Sequence, residues 1–135
     1  MPDIKVTFLQ AASSKEKIYK LLSIITSYYE SKKKLLLKTD SEAVVAYLDK
    51  LLWEFPKESF LPHHTSCLES GFIYLSSEVP PDCYSIFNFT RNPILEPNNL
   101  AKVYEFEDVS SQEKKRIFED KYAAYSKASY HLISL

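Results

Sequence analysis

Short β-type runs alternate with longer segments of helical period along this chain, and that alternation restricts its fold more than any other feature. In residues 4–9, Ile4, Val6 and Phe8 fall on one side, the period-two pattern of a strand. Ser13 or Ser14 then offers an N-cap and Glu16 an acid in the first turn, both favourable at the positive end of a helix dipole. Ile18, Leu21, Leu22, Ile25, Tyr28 and Tyr29 recur at helical spacing, so that helix runs to about Ser31. Lys32, Lys33 and Lys34 place cations at its negative end, as a solvated helix terminus does. Leu35, Leu36 and Leu37 follow as a short apolar run suited to a buried parallel strand. Asp40 or Ser41 caps a second helix, with Ala43, Val44, Tyr47, Leu48, Leu51 and Leu52 on its inner face. Strand, helix, strand and helix in succession predict a right-handed βαβ unit and an α/β sheet.

The pattern continues with strands over residues 72–75, 83–89 and 103–106, the first two separated by a turn at Pro80, Pro81 and Asp82. Residues 90–99 hold Pro93, Pro97 and two adjacent asparagines, which predict an irregular connection. Ser110 or Ser111 caps a last helix with Glu113 in its first turn, carrying Ile117, Phe118, Tyr122, Ala124, Tyr125 and Ala128. With 135 residues, 45% of them hydrophobic, the chain has the size and apolar content of one ordinary domain. The expected fold is therefore α/β: a single three-layer Rossmann-like domain over residues 1–135 with a mostly parallel central sheet.

Gly71 is the only glycine, and this excludes the phosphate-cradling loops, which need glycine for positive φ and close backbone approach. A formal net charge of -1 gives no electrostatic footprint for nucleic acid, so direct DNA binding is not expected as the main activity, and no direct sequence-specific DNA binding is expected. No early segment has the ~18 apolar residues of a membrane helix, and the start lacks the layout of a signal peptide. Cys67 and Cys83 are too few for a disulfide framework. A cytoplasmic protein with free thiols and no cofactor is expected.

The chain changes character between Leu48 and His64. Leu51, Leu52, Trp53 and Phe55 end a helix at Pro56, which disfavours the α region for the residue before it. Phe60, Leu61, Pro62, His63 and His64 then form a stiff, proline-framed aromatic segment. Two readings of Trp53, Phe55 and Phe60 stand side by side: core filling at the helix end, or a preorganised anchor for a partner protein. The run Tyr47-Leu48-Asp49-Lys50-Leu51-Leu52-Trp53, then Pro56, Glu58-Ser59-Phe60 and Pro62-His63, resembles the signature of the chi subunit of bacterial DNA polymerase III. Lys121-Tyr122-Ala123-Ala124-Tyr125, followed by an aromatic and Leu132, is similar to the last helix of that family.

The resemblance implies a non-enzymatic adaptor in the clamp-loader part of the replicase. Trp53, Pro56, Phe60, Pro62 and His63 would hold the psi subunit. The last helix would hold the acidic C-terminal tail of single-stranded-DNA-binding protein, its basic residues meeting carboxylates and an apolar pocket receiving the terminal phenylalanine. Helical spacing places Lys115, Glu119, Tyr122 and Ser126 on one face, with Lys114, Arg116, Lys121 and Tyr125 beside them. Lys115 and Tyr122 match the family pattern by position, and Lys121 and Tyr125 complete the expected contact. Glu119 stands where a basic residue is usual and Ala123 replaces another. A carboxylate facing an acidic tail costs affinity.

A rival reading from another class is a small cytosolic enzyme using a Cys or His group in a pocket beside Pro62 to Cys67. Nothing in the local sequence activates either thiol. His63, His64 and Cys67 are soft-ligand types, but a structural metal needs three or four converging ligands, and Cys83 and His131 lie far along the chain. No metal site is expected. Glu107-Asp108 and Glu119-Asp120 are explained as solvated or dipole-facing carboxylates rather than as general acid and base.

Overall fold

The computed structural model describes residues 4–11, 13–54, 71–78, 84–95 and 101–134. In chain order the elements are β1 (Lys5–Gln10), α1 (Ser14–Glu30), β2 (Leu35–Lys38), α2 (Glu42–Glu54), β3 (Ile73–Ser76), β4 (Ser85–Asn88), β5 (Lys102–Glu107), α3 (Gln112–Lys127) and β6 (His131–Ser134). The strands form one six-stranded sheet in the order β3-β2-β4-β5-β1-β6. Every pairing is parallel, so the sheet is fully parallel where the sequence predicts a mostly parallel one.

Parallel neighbours need crossovers that cover the sheet, and the strand sequences divide accordingly between its two faces. Leu35, Leu37, Ile73, Leu75 and Phe87 join Leu21 and Ile25 of α1 and Leu48, Leu51 and Leu52 of α2 in one buried cluster. Leu36, Tyr74, Ile86, Val6, Phe8 and Val103 form the other, with Tyr125 and Phe118 of α3. The result is three layers, α1 and α2 on one side and α3 on the other. Leu35, Leu36 and Leu37 are each 0% exposed, and burying such a side chain is worth about 1.5–3 kcal/mol. The centre of the sheet thus explains the uninterrupted apolar run of β2.

Two features depart from the sequence reading. β1 and β2 belong to one βαβ unit in the chain, yet β4 and β5 lie between them in the sheet. β6 is a strand where the sequence shows only the end of a helix, and it pairs with β1 through Leu132 opposite Val6.

The helix ends follow local chemistry. The hydroxyls of Ser13, Ser41 and Ser111 accept from the backbone N–H of Glu16, Val44 and Lys114, respectively. At the end of α1, Lys33 N–H donates to the Tyr28 carbonyl at 3.0 Å and Lys32 N–H to Tyr29 at 3.2 Å. At the end of α3 the same pair of bonds joins Tyr130 to Tyr125 and Ser129 to Ser126. These are Schellman caps, and Lys32 (φ 56°) and Ser129 (φ 65°) occupy the left-handed position that glycine favours. Stacking of Tyr125 on Tyr130, ring centres 5.6 Å apart, supplies the apolar contact of the second cap. Lys32→Gly and Ser129→Gly are each expected to raise stability by up to about 1 kcal/mol, since a Cβ is penalised at positive φ. Urea titration of both variants checks this; a loss of stability in both would contradict the cap geometry.

Candidate functional site

α3 presents two different faces. Ile117, Lys121 and Tyr125 follow one another at i, i+4 and i+8 and point at the sheet, so a lysine sits in the middle of the inward stripe. Its partner is Glu105, an inward residue of β5 that is only 2% exposed. Lys121 Nζ donates to Glu105 Oε1 at 2.9 Å and to the Thr90 carbonyl at 2.6 Å. The Tyr125 hydroxyl donates to Glu105 Oε2 at 2.5 Å and Asn88 Nδ2 donates to the same oxygen at 2.8 Å. The Ile94 N–H donates to the Tyr125 hydroxyl oxygen at 2.9 Å. Burial raises the Glu105 pKa above the ordinary carboxylate range, although Lys121, Tyr125 and Asn88 all pull it down. Burial, followed by the charge of Glu105, raises that of Tyr125. With both its oxygens engaged, Glu105 serves as a clamp joining β4, β5 and α3 rather than as a general base.

This network corrects part of the expected contact surface. Lys121 is buried and Tyr125 is 0% exposed, so neither meets a peptide on the outside of the helix. Both hold the helix to the sheet instead. Lys115 and Glu119 are exposed and form an i, i+4 pair at 4.0 Å. Tyr122 is 44% exposed, its ring lying 5.5 Å from Phe8 and 6.1 Å from Phe118. The outer face therefore carries Lys115, Glu119 and a half-embedded Tyr122, with Lys114 and Arg116 also exposed. Lys114 is drawn toward Asp108 at 3.5 Å.

Trp53 lies in the last turn of α2 and is 62% exposed, which removes the core reading for this side chain. Pro56, Phe60, Pro62 and His63 fall outside the described residues, as do Phe55, His64, Cys67 and Cys83. Because α2 runs back from the C-terminal end of β2, Trp53 stands at the N-terminal edge of the sheet. α2 and α3 cover opposite faces, so Trp53 and Tyr122 are on different sides of the molecule.

A crevice of about 450 Å³ opens at the C-terminal ends of β4 and β5, lined by Leu48, Phe89 and Phe106, by Ile117 of α3 and by the Glu105–Lys121 pair. β1 feeds α1 on one face and β5 feeds α3 on the other, so the crevice lies where α/β folds often bind ligands. Its turns carry no glycine among the described residues to cradle a phosphate. Among the described residues no group of three or more His, Cys, Asp and Glu side chains could hold a metal ion, and no helix is long and apolar enough to cross a membrane.

Fold and surface together define a Rossmann-like α/β domain without a nucleotide fingerprint, with exposed aromatic side chains on two sides. The family model of the DNA polymerase III chi subunit, HolC, matches residues 1–133, nearly the whole chain. The chain belongs to this family and so has a part in DNA replication as a DNA polymerase III subunit. No curated protein matches it at a meaningful level of similarity.

Proposed function

We propose that this chain is a non-catalytic, cytoplasmic adaptor of the DNA polymerase III holoenzyme, acting as one domain over residues 1–135. It links the clamp loader, through the psi subunit, to the C-terminal tail of single-stranded-DNA-binding protein. The family match carries this reading. Trp53 and the Pro56–His63 segment are the proposed psi contact, and Lys115 and Tyr122 the proposed tail contact, with Lys114 and Arg116 as neighbouring cations. The placement of Trp53 and Tyr122 on different sides of the molecule suits a linker, since two partners can dock without excluding each other.

The tail site carries its own opponent. Glu119 repels an acidic tail and also engages Lys115 at 4.0 Å. Glu119→Arg is expected to tighten binding of an acidic peptide ending in Pro-Phe by roughly 1 kcal/mol or more at low salt. Salt should erode the gain, as exposed charges are screened beyond ~10 Å at 0.1 M. Lys115→Ala and Tyr122→Ala should weaken whatever binding the parent has. Calorimetric titration with the peptide tests all three, and tight binding that ignores every one of these substitutions would remove the site from this helix face.

A further inference from the structure

A second cleft, of about 560 Å³, opens at the opposite edge of the sheet, between the C-terminal end of α1 and the starts of β4 and β5. Lys33, Lys34 and Lys102 line it, Lys34 with an interaction of its own, and no described lining residue is acidic. Three hydroxyls cluster in its lining. The Tyr28 hydroxyl donates to Ser85 Oγ at 3.1 Å and lies 2.9 Å from the Tyr104 hydroxyl. Tyr84, 53% exposed, stands at the rim beside the lysines. A net charge of -1 over the whole chain therefore conceals a locally cationic concavity with an exposed aromatic ring.

Lysines around a groove and an aromatic face at its rim are the two parts of a sequence-independent single-strand site: cations follow the phosphates and a ring stacks on a base. The hydroxyls of Tyr28, Ser85 and Tyr104 suit phosphate and sugar oxygens. We propose that this cleft binds a short segment of single-stranded DNA without sequence preference, Lys33 and Lys102 contacting the phosphates and Tyr84 stacking on a base. The proposal goes beyond the adaptor reading and does not depend on it. It uses neither Trp53 nor the outer face of α3, and it would let the chain touch the strand on which its replicase works.

Fluorescence anisotropy of a labelled oligothymidylate of about a dozen nucleotides, titrated with the full chain at low salt, tests it. Saturable binding is expected, with a log–log salt dependence of roughly −1.4, from about −0.7 for each of the two phosphate contacts. The double variant Lys33→Gln/Lys102→Gln should lose about tenfold or more in affinity, with the slope falling toward zero. Arginine at the same two positions should restore both. Tyr84→Ala should weaken binding about fivefold or more while leaving the slope in place, the low end for one stacked base. All three positions are exposed, so the variants keep their fold, and an unchanged thermal melt verifies it. No saturable binding, or binding indifferent to the double variant, overturns the proposal. So does an oligoglutamate peptide that displaces the oligonucleotide and binds Tyr84→Ala as tightly as the parent, since the cleft would then serve an acidic protein segment.

Discussion

Lys121→Met is expected to cost the folded chain about 3–5 kcal/mol at neutral pH, the range for leaving a buried charge without its partner. The loss comes from Glu105, which is buried and accepts from Lys121 at 2.9 Å. Burial already raises the Glu105 pKa in the folded state, so folding favours its protonated form. That contribution is fully present below the unfolded pKa and declines as pH rises toward the folded value. Removing Lys121 takes away the strongest influence holding the folded pKa down, and the window extends upward. The deficit of the variant relative to the parent should therefore shrink as pH falls from neutrality, because a protonated Glu105 no longer needs a counter-charge. Asp108 acts in the opposite direction. Burial raises its pKa, but hydrogen bonds from Lys17 and Ser110 outweigh that and hold it well below the usual range. Its stabilisation is lost in acid, but parent and variant share it, so it cancels in the difference. Urea denaturation of both proteins across this pH range is the measurement. A deficit near zero at neutral pH, or one that grows in acid, would contradict the clamp.

Trp53→Ala is expected to weaken the complex with the psi subunit by about 2 kcal/mol or more, the scale of an interface anchor. The melting temperature should hardly move. A side chain 62% exposed has little burial to lose, and surface substitutions usually stay within about 0.5 kcal/mol. A core tryptophan truncated in the same way would instead cost about 3–5 kcal/mol of stability. Titration of parent and variant with the psi subunit, beside their thermal melts, separates the two cases. Unchanged affinity with a large drop in melting temperature would reverse the assignment.

The elements of this fold were largely legible because period and capping agree along most of the chain. Ser13, Ser41 and Ser111 cap the helices that the apolar stripes predict. The order of the strands was not legible, since nothing in β1 or β2 records that β4 and β5 separate them. β6 escaped for a related reason. It is a four-residue edge strand too short to show a period, and it follows α3 after the left-handed turn at Ser129. At the candidate site the misplacement of Lys121 and Tyr125 has a specific cause. Both were grouped with the basic outer face, whereas Lys121 lies between Ile117 and Tyr125 on the inward stripe. A charged residue at an inward helix position, and Glu105 at an inward position of a strand beside Val103, are together the sequence signal of a buried pair. Exposure of Trp53, by contrast, depends on how α2 sits on the sheet, which its own spacing does not reveal.

The central claim is that one small domain joins two partners through separate surfaces. Affinity capture from lysate of the source cells, using the parent chain, Trp53→Ala and Tyr122→Ala, with mass spectrometry of the retained proteins, tests it most directly. The parent should retain both the psi subunit with its clamp-loader partners and single-stranded-DNA-binding protein. Trp53→Ala should lose the first group and keep the second, and Tyr122→Ala should do the reverse. Loss of both groups together in either variant, or retention of both in each, would contradict the account.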